Sequence, residues 1–251
     1  LVADSALGIA GSYIASSSSH ITEIKDNALV RGSVLEAGAS VGSGAVVSDS
    51  FISGRVSVSL GARVTECAIG PVSNIACCEI QNSLIFPLHE QHHNNSFLIA
   101  SVIMGQSNMA AGATIGSNHN SRTNDGEIVA GRGFWPGLCS SVKHSSRFAS
   151  FTLLAKGDFP AELDIPLPFS LVNNNVTDNC LEVLPAYWWL YNMYALARNT
   201  WKYASRDKRR TKVQNVEFNT FAPDTMGEVL AARHLLENCV GKAYLASGQG
   251  A

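Results

Sequence analysis

Aliphatic residues recur along residues 28 to 85 at intervals of six or five. Leu35, Val41 and Val47, then Val58, Val64, Ile69, Ile75, Ile80 and Ile85 follow this spacing, most with Ala, Ser or Cys two residues earlier. A helix of 3.6 residues per turn does not produce such a pattern. Short strands joined by tight corners do, three strands to a coil, each strand turning one aliphatic side chain into a shared interior that the next coil closes. Gly32, Gly38, Gly42, Gly44, Gly54, Gly61 and Gly70 fall at or near the predicted corners, where positive φ is cheap for glycine.

Taken in order, the pattern predicts three regions. Residues 1–20, small and polar around Leu7, Ile9, Tyr13 and Ile14, read as a short helix, cap or lead-in that covers the open end of a β-helix. Residues 21–175 read as the β-helix with loop insertions. The period breaks at Phe86–Asn95, where the chain is expected to leave the coil, resumes through Phe97, Ile99, Val102, Ile103 and Ala113–Gly116, and breaks again at Ser117–Gly126. Residues 127–172 are strand-like but irregular, and Pro160, Pro166 and Pro168 mark the end of the coils. Residues 176–251 read as a helical appendage. One aromatic helix runs from Pro185 to about Ser205, packed on the β-helix flank or a partner subunit, and a second runs from Pro223 to about Cys239, ended by Gly241.

This repeat resembles the hexapeptide-repeat superfamily over roughly residues 21–170. The resemblance implies an all-β left-handed parallel β-helix, here with C-terminal α-helices, and flat faces that often pack as a homotrimer. It leaves the reaction open, because the superfamily holds acyltransferases, carbonic anhydrases and passive domains of sugar nucleotidyltransferases. A closer resemblance lies in His92-His93, Leu98-Ile99-Ala100, Gly116-Ser117-Asn118-His119-Asn120 and Pro166-Leu167-Pro168-Phe169-Ser170-Leu171. These are similar to an uncharacterised family of long hexapeptide-repeat proteins from Bacteroidetes and spirochaetes, a domain of unknown function described loosely as transferase-like.

Composition narrows the classes. Of 251 residues, 46% are hydrophobic and 15% charged, with no run of about twenty apolar residues, so a membrane-spanning chain is not expected. A net charge of -2 and a pI near 6.4 give no general attraction to nucleic acid. The basic run Arg206–Lys212 reads as a solvated helix end or loop. Cys67, Cys77, Cys78, Cys139, Cys180 and Cys239 form no Cys-x-x-Cys pair and read as reduced, which fits a cytoplasmic protein. Cys67 occupies a slot that wants a small buried side chain, and Cys77 and Cys78 point to opposite faces of a strand. The chain opens at Leu1 without Met and ends on Gly-Gln-Gly-Ala, and reads as a piece of something longer.

The chemistry centres on His93, His119 and His144, which are 26 and 25 residues apart. With a coil of about eighteen residues, near-equal spacings predict the same corner on successive coils, with three imidazoles stacked along one edge. The leading assignment makes His119 the general base, oriented by Asp125 or Glu127, as hexapeptide acyltransferases use a loop histidine. His93 joins it as a catalytic candidate, and Asn118, Asn120, Arg122, His144, Arg147 and Lys143 bind substrate. A polar loop with a hydrogen-bonded histidine is the plain alternative. Arg122 and Arg147, each three residues after a histidine, are placed to receive a phosphate or carboxylate. Gly131-Arg132-Gly133 lacks the Gly-Lys-Ser/Thr of a phosphate loop and reads as a tight corner. A second reading binds zinc through His92 or His93 with His119 and His144. The expected function is an acyltransferase-like enzyme acting on a sugar or nucleotide-sugar, with acyl-coenzyme A as donor and zinc as the lesser cofactor expectation. The alternative is a non-catalytic β-helical scaffold or trimerisation domain of a larger nucleotidyltransferase-like protein.

Overall fold

Every strand from residue 2 to residue 175 lies beside the strand one coil away, in parallel register, so that three faces run the length of the molecule. The computed structural model describes residues 1–116, 126–209 and 212–248. It is a parallel β-solenoid of ten coils followed by helices. The first face runs from strand Val2–Asp4 to strand Glu90–Gln91, continues through an isolated bridge at Asn108, and resumes from Trp135–Pro136 to Leu171–Asn175. Among the described residues the second and third faces each hold nine strands.

The aliphatic periodicity is the interior. On the second face Val30, Val47, Val64, Ile80, Leu98, Ile115 and Val142 are in register on successive coils, and each is fully buried. Leu35, Ile52, Ile69 and Ile85 do the same on the third face, and Ile24, Val41, Val58 and Ile75 on the first. Each such side chain contributes about 1.5–3 kcal/mol of burial. Between the second and third faces the residue two before each third-face aliphatic forms a ladder. Ser33, Ser50 and Ser83 donate to the carbonyls of Arg31, Ser48 and Gln81, and accept the N–H of Ser50, Cys67 and Ser101 on the next coil at 3.0–3.2 Å. Cys67 fills one rung, donating through Sγ to the Thr65 carbonyl. Burial pushes its thiol up to about 11 and that of Cys78 up to about 12, so both are packing groups.

Several expectations change. Residues 2–14 hold strands and no helix: they form the first coil, with Val2, Gly8 and Tyr13 paired to Glu23, Leu29 and Val34. Positive φ at the second corner is shared among residue types, since Gly32 at φ 55 is followed in the same slot by Asp49, Glu66, Asn82 and Ala100 at φ 47–53. Gly70 instead serves close approach, because a Cβ there would meet the Pro87 nitrogen at 2.6 Å. The stretch 86–95 does not leave the coil: Glu90 and Gln91 pair with Asn74 and Ile75 in the regular register. Residues 127–172 keep the coils, and strand Cys180–Leu184 folds back antiparallel on Leu171–Asn175, covering the last edge.

The aromatic segment is two helices, α1 (Tyr187–Tyr191) and α2 (Met193–Arg206), because Ala186 at φ 55 excludes Pro185 and Asn192 breaks the helical path. Trp188 and Leu196 pack with Phe151 and Phe169 on the flank of the solenoid. Helix α3 (Pro223–Ala246) runs through Gly241, since the residues beyond it are good helix formers. Arg132, 7% exposed, holds α3 by two bonds to Asp224 at 2.9 and 3.1 Å, and lies at a corner beside Gly133 at φ 77.

The outward rows divide the faces. The first face runs Glu23, Ser40, Ser57, Asn74, Glu90 and Asn108 before turning to Trp135 and Leu153, where the helices cover it. The third runs Tyr13, Val34, Phe51, Ala68, Leu84, Val102 and Val129, then Arg147 and Asp164. Replacing Ile80, fully buried, by Ala is expected to cost about 2–5 kcal/mol in urea denaturation. Arg63→Ala, an exposed position on the neighbouring coil, is expected to stay within about 0.5 kcal/mol.

Candidate functional site

At the sixth coil the interior changes character. Gln91 stands where Ile75, Val58 and Val41 stand on earlier coils, and His89 stands in the small-residue slot before it. Both are fully buried. His89 Nε2 meets Gln91 Oε1 at 3.0 Å and its Nδ1 meets Ser107 Oγ at 2.8 Å. Gln91 donates to Ser96 Oγ at 3.2 Å, and Ser96 donates to the carbonyl of His93 at 3.2 Å. A chain of hydrogen bonds thus leads from the core to the first corner, residues 92–95, and holds it in place.

On the outside of the same strand lies a carboxylate–imidazole pair. Glu90, with its side chain only 8% exposed, places Oε2 3.1 Å from His92 Nδ1 and Oε1 2.6 Å from Arg206 Nη1 at the end of α2. Asn74 Nδ2 lies 3.5 Å from both Glu90 Oε2 and His92 Nδ1. The His92 ring packs against that of His93 at 4.5 Å and keeps 34% of its side chain exposed. A carboxylate on Nδ1 keeps the proton there and leaves Nε2 with the lone pair, the arrangement of an oriented base. Tyr203 donates to the carbonyl of Gln106 at 3.1 Å, fastening α2 beside the pair, and burial pushes its phenol upward. Asn108 Oδ1, next along the outward row, is buried without a partner among the described residues.

The expected site residues part company. His93 is exposed at the first corner of the sixth coil, whereas Lys143, His144 and Arg147 lie at or beside the second corner of the eighth. His93 and His144 therefore do not share an edge, because two coils and one strand separate them, which spacing alone does not reveal. Ser117, Asn118, His119, Asn120, Arg122, Asn124 and Asp125 lie outside the described residues. The described strands on either side are Thr114–Ile115 on the second face and Ile128–Ala130 on the third. Gly126 is bonded to the 143–147 corner: the Ser145 N–H donates to the Gly126 carbonyl at 3.0 Å and the Gly126 N–H donates to the Ser145 hydroxyl at 2.9 Å. Lys143 is engaged by Glu162 at 2.5 Å, His144 is 3% exposed and Arg147 is exposed.

A groove of about 620 Å³ follows the second corner, and its charged walls, Asp49, Glu66 and Glu127, are all acidic. A larger groove of about 720 Å³ follows the third corner beneath Arg209 and Val213. The zinc reading loses His93 by its position, and no cluster of three metal-ligating side chains occurs among the described residues. Glu90 and His92 were legible in part, because residues two apart on an extended strand share a side. Arg206, 116 residues away, was not.

The profile of a family described as a domain of unknown function, DUF4954, matches residues 3–240. A protein of Treponema pallidum (strain Nichols), described as uncharacterized, is 63% identical over 179 residues, 71% of this chain and 25% of that protein. The match spans about a quarter of that relative's length. Among solved structures, the Arabidopsis UDP-N-acetylglucosamine acyltransferase is 13% identical at a TM-score of 0.31, covering 87% of this chain and 86% of that one. The polysialic acid O-acetyltransferase OatWY is 10% identical at a TM-score of 0.28, covering 74% and 88%. At such scores neither bears on the reaction.

The buried imidazole generates a pH prediction. Desolvation holds His89 down at about 4 in the folded chain, against about 6.5 unfolded. Between those values the unfolded chain binds more protons. Stability is therefore expected to fall as pH drops from about 6.5 to about 4, by up to about 3 kcal/mol, and to level off below. Urea midpoints across pH 7.5 to 3.5 read this, and a flat profile would contradict a neutral buried His89.

Proposed function

Because the chain belongs to the DUF4954 family, whose description leaves the reaction open, we propose a function from its own residues: an acyltransferase-like enzyme with its base at the sixth coil. The observation that carries this reading is the Glu90 carboxylate, held by Arg206 at 2.6 Å while it faces His92 Nδ1 at 3.1 Å. In the proposed step His92 Nε2 takes the proton of an acceptor hydroxyl as that oxygen attacks the carbonyl carbon of an acyl thioester. The C–S bond breaks, and the leaving thiolate takes the proton back from the imidazolium. A sugar or nucleotide-sugar supplies the hydroxyl and acyl-coenzyme A the thioester. His119, with Asn118, Asn120, Arg122 and Asp125 around it in sequence, is the rival base, with Lys143, His144 and Arg147 as its proposed substrate-binding partners; His93 flanks His92.

The share of the Treponema relative that is matched, 25%, favours a second reading, in which this stretch is a β-helical scaffold for activity elsewhere in a longer protein. Turnover of a coenzyme A thioester with sugar and nucleotide-sugar acceptors separates the two. His92→Ala is expected to lower turnover by about 10²–10⁴ and Glu90→Gln by less, with His119→Ala near wild type. The drop appearing only in His119→Ala moves the base to residues 117–125; no turnover by folded wild type leaves the scaffold.

A homotrimer completes the proposal, assembled through the apolar outward row of the third face. Phe51, Leu84 and Tyr13 on that row are 39%, 44% and 69% exposed, and six steps of about 4.8 Å make it roughly 29 Å long. Light scattering is expected to give three chains per particle, and Phe51→Glu one.

A further inference from the structure

One side of α2 carries charge that the Glu90–His92 pair does not consume. Arg198, Lys202 and Arg206 recur every fourth residue, which aligns them along the helix. Arg206 is paired with Glu90. Lys202 lies 5.3 Å from the Tyr203 ring and is half-buried. Burial holds its ammonium below the usual lysine range; Glu90 opposes this, and Arg206 and Arg198 push the same way as burial. The Tyr203 phenol feels the same three charged groups. Three cations thus lie near one carboxylate, and Lys202 between the two exposed arginines is the one that water reaches least.

The basic stretch that follows is different. Arg209 is clamped by Asp207 at 2.7 and 2.9 Å, and Lys212 lies 3.6 Å from the same carboxylate. Asp207 answers Arg209 directly and Lys212 at longer range, and Lys212 stands largely in water. The groove at the second corner has acidic walls. An anion approaching α2 therefore meets three cations against the one carboxylate of Glu90, beside the partly exposed ring of His92.

We propose that Arg198, Lys202 and Arg206 form a phosphate-binding site that takes the diphosphate of a nucleotide-linked substrate. The proposal rests on the reading of His92 as the base, since a diphosphate held here leaves the attached sugar at the first corner. The helix rise sets successive cations about 6 Å apart, within reach of two neighbouring phosphoryl groups through long side chains. The guanidinium of Arg198 offers paired N–H donors that match phosphate oxygens, and Lys202 supplies a point charge between the two arginines. Arg206 divides its donors between Glu90 and the ligand, which ties the bound anion to the carboxylate that orients His92.

Titration calorimetry with inorganic pyrophosphate, on the whole chain at low and high salt, tests this. Wild type is expected to bind, more weakly as salt rises. Arg198→Gln and Lys202→Ala are each expected to lose about tenfold in affinity or more, with unchanged circular dichroism, and Arg198→Lys to recover part of it. The double variant Lys208→Ala, Lys212→Ala is expected to bind as wild type. No binding by wild type overturns the proposal, and so does a loss confined to the Lys208, Lys212 variant. Turnover that depends on His92 without pyrophosphate binding removes this site and leaves the base; binding without turnover retains the site and removes the base.

Discussion

The stacking of one coil on the next governs this molecule. Backbone hydrogen bonds run along the solenoid, from each strand to its equivalent about one coil away, so every residue shares its slot with those above and below. A slot inside must be filled by something that packs against its own kind. Val30 to Val142 on the second face and Leu35 to Ile85 on the third satisfy that demand with aliphatic groups alone. The corner serines satisfy a second demand. Their hydroxyls bond both the carbonyl behind and the N–H ahead, where the turning backbone leaves both groups in need of partners.

The same rule explains where chemistry gathers. Gln91 and His89 take slots meant for aliphatic and small residues, and they are tolerated because they bond each other, Ser107 and Ser96. Such a network is costly if broken and specific if complete. It fixes the turn that follows, residues 92–95, on which the imidazoles stand. Outside, the outward row of the first face changes from polar to aromatic just beyond, and the helices settle on the aromatic part. The end of α2 is thereby delivered to the last polar strands, beside Glu90.

The fold was legible because its rule is local. Nine aliphatic residues from Leu35 to Ile85 mark the interior by their spacing alone, and Cys67 marks a corner slot. Polar occupants broke the reading: His89 and Gln91 looked like an exit from the coil, since periodicity sees residue type and not register. The histidine arithmetic failed for a related reason. The stretch from His93 to His144 is two coils and a strand as readily as two coils with loops, and only the strand pairing distinguishes them. Helix limits were displaced by backbone conformation at Ala186 and Asn192, to which composition is blind.

The joints between helices and coils impose an order of assembly. Contacts between neighbouring coils close loops of about one coil, so the solenoid can start at several places and lengthen by addition. The joints to the helices are another matter. Arg206 to Glu90 closes a loop of 116 residues, Tyr203 to Gln106 one of 97, Arg132 to Asp224 one of 92 and Ser150 to Glu228 one of 78. Each requires coils six to nine to exist already, and distant closures are slow to reward the entropy they cost. Docking of the helices is thus the step that closes the longest loops, and the pairing of Glu90 with Arg206 depends on the sixth coil being in place.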